Sequence, residues 1–124
     1  MKKTVLVVDD SNTNLLMARD ALFQDYKVIT MSSASKMFNF LEKVMPDIIL
    51  LDIEMPEIDG YEAISRLKVH AIYKDIPVIF LSVHGDNNTK SRCYELGAVD
   101  FVVKPMLKPV LLKVLDTHLR QLKE

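Results

Sequence analysis

Four consecutive aliphatic residues, Ile48 to Leu51, run without polar alternation and stop on a carboxylate, Asp52. A strand that is apolar at every position is buried on both faces, and such strands belong to parallel sheets covered by helices. Asp52 then stands where the strand leaves the core, and Pro56 and Gly60 shape a loop before a helix resumes. In open α/β sheets the carboxyl ends of the strands form the crevice in which ligands bind, so an acid at that point is placed for chemistry.

The rest of the chain repeats this pattern. Val5 to Val8 is a second non-alternating run, and it ends on Asp9 and Asp10. Ser11 caps a helix in which Leu15, Ala18 and Leu22 recur at helical spacing up to about Gln24. Tyr26 to Met31 reads as a short strand with no acid at its end. Ser33 opens a helix with the stripe Met37, Leu41 and Val44, closed by Pro46. Tyr61 to about Val69 is helical, with Ile64 and Leu67 inward. Val78 to Leu81 is apolar throughout and ends on Ser82, and Gly85 to Asn88 is a loop. The next helix is weak, with only Cys93 and Leu96 inward before Gly97 ends it. Val99 to Val103 ends on Lys104, Pro105 follows, and Leu107 to Leu122 is a long helix striped by Leu111, Leu115, Leu119 and Leu122. Five such alternations predict one α/β domain over residues 1–124, with right-handed crossovers and a doubly wound sheet.

Bulk properties exclude several functions. Sixteen basic against seventeen acidic residues give a net charge of -1, which is no footprint for nucleic acid or an anionic membrane. The single cysteine, Cys93, permits no internal disulfide, and no Cys/His cluster offers a zinc site. Cys93 reads as a small core residue, His70 and His118 as surface residues, and His84 as an exposed loop residue. The first apolar stretch is short and ends in two acids, which is neither a signal peptide nor a spanning helix, so a cytoplasmic protein is expected. With three glycines in all, no glycine-rich phosphate loop follows the first strand.

Parallel strands point the same way, so Asp9, Asp10, Asp52, Ser82 and Lys104 are expected to meet at one sheet edge. Three carboxylates in one crevice repel one another unless a cation intervenes. An all-oxygen donor set favours a hard divalent ion, and Mg2+ takes one or two carboxylates while leaving room for a phosphate. Lys104 adds a point charge suited to a phosphoryl oxygen, and Ser82 adds a hydroxyl donor. Together these groups suit phosphoryl transfer, with a carboxylate as nucleophile giving an acyl phosphate.

The acid pair, the Asp52-to-Gly60 loop with Pro56, the hydroxyl residue after the fourth strand and Lys104-Pro105 together resemble the receiver domain of bacterial two-component response regulators, in particular chemotaxis-regulator-like ones. The resemblance implies a flavodoxin-like fold, five parallel strands in order 2-1-3-4-5 with five helices. It implies that Asp52 accepts a phosphoryl group from the phosphohistidine of a sensor histidine kinase or histidine phosphotransfer protein. It further implies that Asp10 and Asp52 hold Mg2+ with the backbone carbonyl of Glu54, and that Asp9 assists through water. Lys104 and Ser82 would engage the phosphoryl group. In one of two readings Phe101 would turn inward as Ser82 moves, reshaping the surface of the fourth helix, last strand and last helix for an effector domain or protein; in the other it is a simple core or edge aromatic. A cis Lys104-Pro105 bond is a further implication, and a homodimer through that surface is left open. Val83 stands where the family more often has a smaller residue, and is expected to crowd the mouth of the site and slow hydrolysis. Glu54 and His84 occupy positions that in the family tune phosphoryl lifetime.

Two other readings compete. A phosphoaspartate-forming hydrolase of the haloacid dehalogenase kind also places a nucleophilic aspartate at a strand end. It would have a second aspartate two residues on, where this chain has Glu54, and a substrate-covering cap for which there is no room. A phosphorylation-independent binding module would not need Asp10, Asp52, Ser82 and Lys104 all intact. The reading that results is a phosphoacceptor that catalyses only its own phosphorylation and dephosphorylation, not an enzyme with separate substrate turnover.

Overall fold

The structure, a computed structural model, describes the backbone of residues 2–123 and the side chains of residues 2–119. Five strands alternate with five helices: β1 (Thr4–Val8), α1 (Asn12–Leu22), β2 (Lys27–Met31), α2 (Ala34–Leu41), β3 (Ile48–Asp52), α3 (Gly60–Lys68), β4 (Val78–Ser82), α4 (Asn87–Glu95), β5 (Asp100–Val103) and α5 (Lys108–Lys123). All pairings are parallel, and the strand order is β2-β1-β3-β4-β5, the flavodoxin-like arrangement.

The non-alternating strands behave as their composition requires. Every residue of β3 and β4 is buried. Their side chains feed two cores, one on each face of the sheet. Leu6, Ile49, Leu51 and Phe80 pack with α2, α3 and Cys93 of α4, whereas Val5, Val7, Ile48, Leu50, Ile79 and Leu81 pack with α1 and α5. Each fully buried aliphatic side chain contributes about 1.5–3 kcal/mol.

Side-chain caps fix where four helices begin. Ser11, Ser33, Asp59 and Asp86 each accept a backbone N–H from the first turn of α1, α2, α3 and α4. α4 therefore starts at Asn87, inside the stretch expected to be loop, because Asp86 binds both the N–H and the hydroxyl of Thr89. Gly97, at φ 108°, ends it: the Gly97 N–H reaches the Tyr94 carbonyl and the Ala98 N–H the Cys93 carbonyl. α2 is shorter than its apolar stripe suggested. It stops at Leu41, and Val44 is 41% exposed. Pro46 bars Met45 from helical geometry, so the chain leaves the helix before Val44 can turn inward. Leu122 of the expected α5 stripe lies outside the described side chains, while Leu111, Leu115 and Leu119 are buried. Among the described residues no helix is long and apolar enough to cross a membrane.

Candidate functional site

The register of the sheet aligns the strand ends. Val8 pairs with Leu51, Asp52 with Leu81, and Ser82 with Val103. Backbone bonds extend the alignment past the strands: Asp9 N–H to the Met31 carbonyl at 3.1 Å, Ile53 N–H to Leu81 at 3.2 Å, and Lys104 N–H to Ser82 at 2.8 Å. Asp9, Asp52, Ser82 and Lys104 consequently leave the sheet along one edge. The Lys104-Pro105 bond is cis.

Asp9, Asp10 and Asp52 each offer a carboxylate oxygen within 4.8 Å of the others. Asp9 and Asp52 are buried, at 0% and 3% exposure, and Asp10 is exposed. The Lys104 ammonium bridges the buried pair, 2.8 Å from Asp9 Oδ2 and 3.0 Å from Asp52 Oδ1. Burial raises the Asp52 pKa to about 6; the hydrogen bond from Lys104 opposes that rise and the Asp9 charge adds to it. Burial pulls the Lys104 pKa down, but its hydrogen bonds to Asp9 and Asp52 outweigh this and leave it above the usual lysine value. One ammonium facing three carboxylates leaves net negative charge among oxygen donors, so the residues present fit a hard divalent cation such as Mg2+.

Lys104→Met leaves two buried carboxylates without their cation. Losing one partner of a buried pair costs about 3–5 kcal/mol, so in chelator this variant should melt well below the parent. Millimolar Mg2+, supplying the missing charge, should recover most of the loss. Melting curves with and without the ion check this, and an unchanged midpoint in chelator would contradict it.

Beside the triad lies a cleft of about 470 Å³ lined by Asp10, Ile53, Glu54, Met55, Pro56, Asp59 and Tyr61. Glu54 donates its N–H to Asp52 Oδ1 at 3.3 Å, while its exposed carboxylate lies 3.2 Å from His84 Nε2. His84 is an exposed loop residue, as expected, and its ring meets the Glu54 carboxylate. Sequence spacing could not show this, because the two come from different strand-end loops. Ser82 is buried at the same edge, with its hydroxyl accepting the His84 N–H at 3.0 Å.

The Phe101 ring lies inside. It is 9% exposed, packed in the core and 5.9 Å below the Lys90 ammonium, while Ser82 remains bonded to its own loop. His118 departs from the surface position expected for it. It is half-buried, with Nε2 2.9 Å from Asp100 Oδ2, because α5 sets it beside the first residue of β5. Cys93 is buried in the core, and burial pushes its thiol up to about 11, so it is no nucleophile.

Comparison with known proteins agrees with this geometry. The family model described as the response regulator receiver domain matches residues 5–116. A "Probable cyclic di-GMP phosphodiesterase" of Vibrio cholerae is 38% identical, the match covering 94% of this chain and 26% of that protein. The two-component response regulator ORR1 of rice (Oryza sativa subsp. japonica) is 37% identical, with 82% and 49% covered. The chain therefore spans about a quarter to a half of these relatives. Among solved structures, the receiver domain of a signal transduction histidine kinase from Syntrophus aciditrophicus superimposes with a TM-score of 0.88 at 32% identity, covering 98% of this chain and 93% of that one. The chemotaxis protein CheY4 of Vibrio cholerae gives 0.88 at 28% identity, covering 94% and 98%. By its matched sequence and its architecture, this chain belongs to the response regulator receiver domain family, the signalling switches of two-component systems.

Proposed function

We propose that the chain is a phosphorylation-activated switch whose acceptor is Asp52. The observation that carries this reading is the Lys104 ammonium held between Asp9 and Asp52 within a buried acid cluster. Asp52 Oδ1 already accepts the Glu54 N–H and Lys104, which leaves Oδ2 free to attack. In the transfer, the N–P bond of a phosphohistidine breaks, a bond from Asp52 Oδ2 to phosphorus forms, and the imidazole departs with the electron pair. Asp10, Asp52 and the Glu54 carbonyl would hold Mg2+, with Asp9 assisting through water; when bound, the ion supplies charge neutralisation for the phosphoryl oxygens. Lys104 then turns from the carboxylates to the phosphoryl group. The Ser82 hydroxyl exchanges its His84 N–H for a phosphoryl oxygen.

That exchange draws the β4–α4 loop inward and reshapes the α4-β5-α5 surface, where Tyr94, Val99 and Val103 are 48%, 40% and 43% exposed. Those apolar groups suit an effector domain or protein, or a second copy of the chain. The phosphoryl donor is a sensor histidine kinase or histidine phosphotransfer protein, and the chain works in the cytoplasm as residues 1–124 of one receiver domain. It turns over no separate substrate.

Incubation with acetyl phosphate and Mg2+ tests the reading. It should give one acid-stable, base-labile adduct per chain, mapped to Asp52 and suppressed by chelation. Catalytic release of phosphate from simple esters would instead favour the hydrolase. Val83, beside Ser82 and 62% exposed, would shield the mouth of the site. Val83→Ala should shorten the adduct's half-life about two- to fivefold, corresponding to less than about 1 kcal/mol in the barrier. A half-life equal to the parent's would remove any shielding role for Val83.

A further inference from the structure

Asn14 lies one turn into α1 and has no part in the chemistry assigned above. Ser11 caps the helix by accepting the Asn14 backbone N–H at 3.3 Å. In a capping box, the side chain at this third helical position turns back and accepts the N–H of the cap residue. Here the Ser11 N–H is already committed, donating to Asp9 Oδ1 at 2.9 Å. The Asn14 side chain instead reaches Asp9 itself, with Nδ2 3.3 Å from Oδ2 and 3.5 Å from Oδ1. A carboxylate has no proton to give, so the amide must present its NH2 there.

Asp9 is fully buried, so its lone pairs depend on donors from the protein. Among the described residues its one ion-pair partner is Lys104, and that ammonium is shared with Asp52. When the acyl phosphate forms, Lys104 turns to the phosphoryl oxygens and Asp9 loses its charged donor. The Ser11 N–H and the Asn14 amide, both fixed to the first turn of α1, stay behind. An acid at position 14 would add a negative charge to the cluster, and an aliphatic side chain would give Asp9 nothing. An amide donates without adding charge.

We propose that Asn14 is a positioning residue: its amide holds the Asp9 carboxylate in the orientation that the acid cluster needs to grip a divalent cation, most of all once Lys104 has moved away. This rests on the phosphoacceptor reading for the movement of Lys104, but not for the cation.

The test compares the parent chain with Asn14→Ala and Asn14→Gln. Mg2+ alone is titrated, with no phosphoryl donor present, and followed through the amide resonance of Glu54, whose N–H contacts Asp52 at 3.3 Å. Loss of an outer partner of a metal ligand commonly weakens affinity by about 10- to 100-fold. Asn14→Ala should raise the half-saturating Mg2+ concentration about tenfold, more than any change in melting temperature accounts for, since the Ser11 cap uses only the Asn14 backbone N–H and alanine is the better helix former. Asn14→Gln, which keeps an amide, should recover part of the loss. Parent-like affinity in Asn14→Ala, a loss that merely follows the melting temperature, or no recovery in Asn14→Gln would each overturn the proposal. Acetyl phosphate labelling of the parent separates the two readings. A weakened Asn14→Ala alongside an unlabelled parent sinks the phosphoacceptor and keeps the positioning role, while a labelled parent with a parent-like Asn14→Ala does the reverse.

Discussion

Asp52→Asn should take up no phosphoryl group from acetyl phosphate and Mg2+, and in chelator at neutral pH it should be more stable than the parent. Both effects come from the same buried carboxylate. An amide oxygen is no nucleophile for phosphorus, so uptake is lost outright. For stability, the folded protein holds the Asp52 proton more tightly than the unfolded chain, with a pKa of about 6 against 3.8. A carboxylate shifted in this direction contributes its stability below about 3.8 and loses it as pH rises to about 6; above that, the ionised group is buried at a cost. The full shift corresponds to at most about 3 kcal/mol, and the neutral side chain should recover about 1–2 kcal/mol of it because Lys104 still pairs with Asp9. Denaturant melts from pH 4 to 8 check the sign. The parent should lose stability relative to Asp52→Asn as pH rises through this window, and a parent that gained stability there would contradict the account.

Gly60→Ala should be the most damaging single methyl in the chain. A Cβ at position 60 would lie 2.4 Å from the Asp52 carbonyl oxygen, 2.7 Å from Ile53 Cα and 2.9 Å from Phe80 Cε1. Two of these are backbone atoms, one of Asp52 at the end of β3 and one of Ile53 just after it, and the Gly60 N–H is bonded to the Ile53 carbonyl at 2.7 Å, so α3 cannot simply slide away. Overpacking a core costs about 1–3 kcal/mol. With rigid backbone on two sides, about 3 kcal/mol or more is expected, together with weaker Mg2+ binding because relief must move Asp52. A variant within about 0.5 kcal/mol of the parent, the range of ordinary surface changes, would show that the contact between α3 and β3 is looser than described.

Much of this was legible in the sequence, and for definite reasons. A strand buried on both faces must be apolar at every position, so Ile48–Leu51 and Val78–Leu81 could not be mistaken for amphipathic elements. Parallel strands in turn require their final residues to share an edge, which placed Asp9, Asp52, Ser82 and Lys104 together before any distance was known. Strand order came from the family resemblance, since alternation alone does not fix it. What escaped were contacts between segments far apart in sequence. The Glu54–His84 bridge and the His118–Asp100 contact join separate elements, and no local pattern encodes either. Asp86 could have been found, because an aspartate three residues before Thr89 is a capping signal. Phe101 could be read either as a core aromatic or as a moving one, and its burial here is a tertiary outcome, set by how α4 closes over β5.

The most direct measurement of the central claim adds beryllium fluoride, an acyl-phosphate mimic, with Mg2+ and follows backbone amides by NMR. If strand-end residues from β1, β3, β4 and β5 build one switching site, Asp10, Glu54, Ser82, His84 and Lys104 should shift with a common saturation, and Phe101 and α4 should shift with them. Saturation at Glu54 that leaves Ser82 and Lys104 unmoved would contradict the shared site.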